Sequence, residues 1–139
     1  MVSKAFLDKV KSEVKNDKKT YLKNCEGNPS EYGEAVHWLF GDVRAGRGPD
    51  KTNVIKAVEC EEKKDTEGAK NYFKLAVEDR VDTPYPYEKL AALYLQEGKL
   101  KEAGEVCKKW FDLPYWKIAD FASAGLRIIE MMEKTSGHG

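Results

Sequence analysis

Two histidines, three cysteines and two charged segments are where this 139-residue chain could do chemistry. His37 lies in AVHWLF among aromatic and aliphatic neighbours, and His138 lies in the C-terminal SGHG. A general base needs a carboxylate or thiol partner, and neither histidine has one close in sequence. Cys60 and Cys107 fall on apolar helix faces, where a thiol behaves as a small hydrophobe, while Cys25 beside the CEGNP turn is expected to be the most exposed. Their wide, odd spacing matches neither a disulfide framework nor a zinc site. GRGPDKT, Gly46 to Thr52, lacks the G-x-x-x-x-G-K-[ST] spacing and a preceding strand, so it is expected to be an interhelix loop with Pro49 setting the next helix start. The carboxylates of ECEEKKDTE alternate with lysines as on a solvated helix face and lack calcium-loop spacing. These residues predict no enzyme, no metal and no cofactor.

The chain is 41% hydrophobic and 35% charged, and its 24 basic residues are balanced by 24 acidic ones, so no net charge draws it to nucleic acid or membrane. Without paired cysteines, a signal segment or an apolar run of about 20 residues, it is expected to work reduced and in the cytoplasm.

Helix formers dominate, and Val, Ile and Thr never cluster as in a buried strand, which predicts an all-α fold of about seven helices. Residues 3 to 23, carrying Phe6, Val10, Val14, Tyr21 and Leu22, read as one lysine-rich helix. Ser30 is expected to cap a second, with Tyr32, Ala35, Val36, Leu39 and Phe40 as its face. The cluster around Gly46, Gly48 and Pro49 predicts the longest loop, and helices follow from Lys51, after KKDTEG, after VDTPYP and after Gly98. A last helix is expected from about Trp116 to Lys134, with 135–139 as a flexible tail.

A shift of 34 residues carries Ala57 to Ala91 to Gly125 and Ala69 to Ala103, placing small residues on small ones. Paired helices approach closely only where side chains are small, with larger apolar groups to either side. With Tyr87, Leu90, Ala91, Tyr94, Gly98 and Ala103 in place, the chain resembles the tetratricopeptide repeats, whose units are helix-turn-helix pairs. Trp110 stands where that family usually has alanine, and Lys64 stands where Gly98 stands one unit later. The resemblance implies a single domain: a degenerate first pair over 1–49, a second over 50–83, a third over 84–117, and a capping helix over 118–134.

It also implies a concave face formed by the first helix of each pair, suited to a peptide or partner helix. That face would carry Lys51, Val54, Val58 and Glu62, then Tyr85, Glu88, Ala92, Leu95 and Gln96, then Ala122, Leu126 and Ile129. Its mixed character and lack of a Lys/Arg array disfavour a carboxylate clamp and point to an apolar or amphipathic protein segment. The last helix is apolar around more of its circumference than one packing face needs, so it either folds into the core or makes a homodimer. The alternative function is nucleic-acid association through residues 1–24, seven lysines against three acids, extended by Arg44 and Arg47.

Overall fold

The structure is a computed structural model that describes residues 2–43 and 50–136. The expectations for Gly46, Gly48, Pro49, Arg44, Arg47 and His138 lie outside the described residues. Within them, all regular structure is helical: α1 (Lys4–Asn16), α2 (Lys18–Gly27), α3 (Pro29–Phe40), α4 (Thr52–Glu62), α5 (Thr66–Glu78), α6 (Tyr85–Gln96), α7 (Leu100–Phe111) and α8 (Ala122–Ser136). Two 3-10 turns, Pro114–Lys117 and Ala119–Phe121, precede α8.

The stretch 3–23 is two helices rather than one. Asp17 leaves helical geometry (φ −151°, ψ 76°) and its carboxylate caps α2, accepting from the Thr20 amide at 3.1 Å and the Thr20 hydroxyl at 2.7 Å. A side chain able to satisfy the free amides of a new first turn makes a break cheap here. The helix expected to be capped by Ser30 is α3, whose N-cap position is Asn28, with Pro29 in its first turn and no side-chain capping bond. The last α-helix starts at Ala122 rather than near Trp116, because Pro114 and the turns after it reset the chain, and it runs through Thr135 and Ser136. Thr135 donates its hydroxyl to the Met132 carbonyl at 2.7 Å.

Helices α4 and α5 lie against each other, as do α6 and α7. The two connecting turns share one geometry. Lys64 (φ 60°) and Gly98 (φ 76°) both enter the left-handed region. The next amide then returns to a carbonyl five residues back, Asp65 to Cys60 and Lys99 to Tyr94, each at 2.8 Å. Orphan carbonyls at the helix end are thereby satisfied. Ala57, Ala91, Ala69 and Ala103 are all buried, as the close approach of paired helices requires.

In space the order runs α4–α5, α6–α7, then α8 on α7 and α6, and then α2 on α8. The N-terminal helices therefore join the layers beyond α8 rather than ahead of α4. Leu22 of α2 fits over Gly125, where an added Cβ would come within 3.1 Å of Leu22 Cδ1. Lys19 reaches Glu133 at 3.1 Å and Glu26 accepts from Ser123 at 2.6 Å, so α2 runs antiparallel to α8. Tyr21 stacks edge-on against both Tyr32 and Trp116 and donates its hydroxyl to the Lys117 carbonyl. Glu13 ties the N-terminal helices together, accepting from Tyr32 at 2.9 Å and from Asn24 at 3.0 Å. Trp110 is wholly buried, packed between Tyr87 and Phe121 with ring centroids at 5.2 and 6.0 Å, so one indole fills the space between layers.

Candidate binding surface

The twelve residues expected on one face divide into three sets. On α4, Lys51 and Glu62 are exposed while Val54 and Val58 are half-buried. On α6, Tyr85 and Gln96 are exposed and Glu88, Ala92 and Leu95 are half-buried. On α8, Ala122 and Ile129 are buried in the core and Leu126 is half-buried, so the first two offer a partner nothing. Helix α8 is packed by α7, α2 and α6 and by the 3-10 turns, and the α2 contact joins residues about 100 positions apart and leaves no local mark in sequence.

Polar contacts lace the helices of this face. The Tyr85 hydroxyl donates to Glu61 Oε1 at 2.7 Å, and Lys89 Nζ lies 3.4 Å from Glu61 Oε2 and 5.6 Å from the centre of the Tyr85 ring. Burial, then the bond to Glu61, pushes the Tyr85 phenol up to about 12, so it remains a donor at neutral pH. Arg127 of α8 grips the Glu88 carboxylate with two nitrogens, Nη2 reaching Oε1 at 3.2 Å. Such two-pronged pairing fixes orientation as well as charge.

Between the α4–α5 pair and α6 lies a hollow of about 340 Å³. Ala69, Phe73, Ala92 and Leu93 line it with apolar surface, and Glu61, Lys64, Thr66, Lys89 and Gln96 edge it with polar groups. Of these nine, only Ala92 and Gln96 were expected from the repeat pattern. Glu61, Lys89 and Phe73 become visible only when two units are packed together; the clue in sequence was that Glu61 and Tyr85 fall on facing helices. Lys51 and Val54 line a different hollow, of about 480 Å³, with Asp82, Thr83, Tyr115, Ile118 and Phe121. Lys51 also pairs with Asp82 at 2.8 Å.

The reactive residue types are placed as follows. Cys25 is fully buried, contrary to the expectation that it would be the most exposed cysteine, because it sits with Tyr21 and Leu22 on the inward face of α2. Burial pushes the thiols of Cys25 and Cys107 up to about 11, leaving both protonated and inert near neutral pH. Cys60 is half-buried. His37 is exposed on α3 and borders a small hollow with Lys117, Asp42 and Asp120. No three His, Cys, Asp or Glu among the described residues could hold a metal ion, and none of the described helices is long and apolar enough to cross a membrane. The lysines of α1, Lys4, Lys9, Lys11 and Lys15, are exposed, whereas Lys18 lies 5.3 Å over the Trp116 ring.

Comparison of the chain with protein-family models, with curated proteins and with solved structures finds no match.

Proposed function

We propose that this chain is a non-enzymatic protein-recognition module, built of tetratricopeptide-like helix pairs, that binds a peptide or partner helix along α4 and α6. The observation that carries this reading is the hollow between these helices, lined by the apolar Ala69, Phe73, Ala92 and Leu93 together with the polar Glu61, Lys64, Thr66, Lys89 and Gln96. Recognition sites combine apolar lining with a few fixed polar groups in this way. Here Glu61 is held by Tyr85 and Lys89, so one polar side of the hollow is set before any partner arrives. Pre-set groups lose little freedom on binding.

A photo-crosslinking residue placed at Gln96 is expected to capture one protein, and Ala92→Arg, which fills the hollow, is expected to abolish that capture while leaving the melting temperature unchanged. The same crosslinker at Lys108, on the exposed side of α7, should capture nothing specific. Equal capture from Gln96 and Lys108, or capture unaffected by Ala92→Arg, sinks the reading. Oligonucleotide binding that vanishes between about 50 and about 200 mM salt would instead favour the lysine-rich α1.

A further inference from the structure

Helix α4 carries a second pattern, on the side turned away from the buried Ala57. Lys51, at its N-cap, is followed at intervals of four, three and four by Ile55, Val58 and Glu62, spacings that put all four on one face. Ile55 is 61% exposed, more than any other aliphatic side chain among the large exposed hydrophobics, and Val58 beside it is half-buried. Read along the helix the face is cation, aliphatic, aliphatic, anion. Turned end for end it is its own complement.

We propose that this face pairs with the same face of a second copy of the chain, the two α4 helices running antiparallel across a two-fold axis near Lys56 and Ala57. Lys51 and Glu62 are equidistant from that point, and so are Ile55 and Val58. The symmetry therefore sets Lys51 against Glu62 of the partner subunit and Ile55 against Val58 of the partner subunit, each contact occurring twice. An isologous interface demands this self-complementarity. The parallel arrangement would instead stack Lys51 on Lys51 and Glu62 on Glu62.

Lys51 already contacts Asp82 at 2.8 Å, but an ammonium carries three donors and can serve both carboxylates. The helix that sequence alone marks for self-association, α8, is covered by α7 and α2, which moves the candidate contact to α4. A pairing only about 16 Å long falls well short of the roughly 800 Å² per partner of a stable complex, so the dimer is weak, with a dissociation constant on the order of 100 μM.

Sedimentation equilibrium of the full chain from about 10 μM to about 1 mM should show a monomer–dimer equilibrium in that range. Ile55→Glu should raise the dissociation constant at least tenfold without changing the far-ultraviolet circular dichroism or melting temperature, because Ile55 is already solvated. Lys51→Glu and Glu62→Lys should each abolish the homodimer, yet an equimolar mixture of the two should dimerise, since each then supplies the charges the other lacks. A wild-type chain monomeric throughout, or an Ile55→Glu chain that dimerises as well as wild type, or a mixture no better associated than its components, overturns the proposal. Lys51, Val58 and Glu62 also belong to the α4 half of the proposed recognition face, so pairing and a bound peptide would compete along α4; the hollow beside α6 is probed separately at Gln96 and Ala92.

Discussion

At positions 34 residues apart, α4 presents Asn53 and Lys56 where α6 presents Tyr87 and Leu90, and where the last turn and α8 present Phe121 and Ala124. Tyr87 and Leu90 are buried; Lys56 is exposed and lies 5.6 Å over the Tyr72 ring. The two helices share the small residue that faces their partner, Ala57 or Ala91, and differ on the side that would meet a preceding layer. A helix with asparagine and lysine on that side can stand first in a series of layers; one with tyrosine and leucine there must be covered. The contrast explains why α1–α3 do not pack ahead of α4. It also explains why they pack beyond α8, which would otherwise leave Gly125, Ile128 and Ile129 in water.

The difference between α4 and α6 is largest at Leu90. Leu90→Lys places an unpaired ammonium inside the layers and should cost about 4 kcal/mol or more, enough to unfold a domain of this size, while the reverse exchange Lys56→Leu should change stability by no more than about 0.5 kcal/mol. Chemical denaturation of both variants checks it. Equal effects would mean that α4 and α6 do not occupy inequivalent places.

A smaller effect is expected where the N-terminal helices dock. Leu22→Ala should cost about 2–5 kcal/mol, because the space over Gly125 cannot close. Gly125→Ala alone should also destabilise, since its new methyl would sit 3.1 Å from Leu22 Cδ1, but added to Leu22→Ala it should recover part of the loss. Additive losses in the double-mutant cycle would separate the two residues.

The smallest effect sharpens the likeness of the two turns rather than their difference. Gly98 is left-handed with open space where a Cβ would stand, so Gly98→Ala should lose about 1 kcal/mol through backbone strain alone. Lys64→Gly relieves the same strain in the earlier turn and should gain about as much. Thermal melts of the two variants should shift in opposite directions.

Much of this was legible beforehand, and for local reasons. The helices from α4 to α7 follow from apolar spacing and from breaks at Lys64, Pro84 and Gly98, and the burial of Ala57, Ala91 and Gly125 follows from their regular recurrence. The outer place of α4 was not read: residues 1–49 were expected as a first pair ahead of it, although Asn53 and Lys56, aligned with Tyr87 and Leu90, already give α4 a polar side. The break at Asp17 was hidden because Val14, Tyr21 and Leu22 are compatible with one continuous apolar stripe, and only the Thr20 contacts distinguish a cap from a solvated aspartate. Of the expected face, Lys51, Glu62, Tyr85 and Gln96 are exposed, Val54, Val58, Glu88, Ala92, Leu95 and Leu126 are half-buried, and Ala122 and Ile129 are buried.

The amino-acid sequence by itself determined the helices from α4 to α7, the turns between them and the small residues at which pairs approach, because each depends on neighbours within a few turns of chain. Tertiary structure alone decided that α2 covers α8, that Cys25 is sealed, and that Glu61, Tyr85 and Lys89 converge at one hollow. Those outcomes depend on which of several apolar surfaces finds the best-fitting cover, and burial rewards any of them until shape, as at Leu22 over Gly125, selects one.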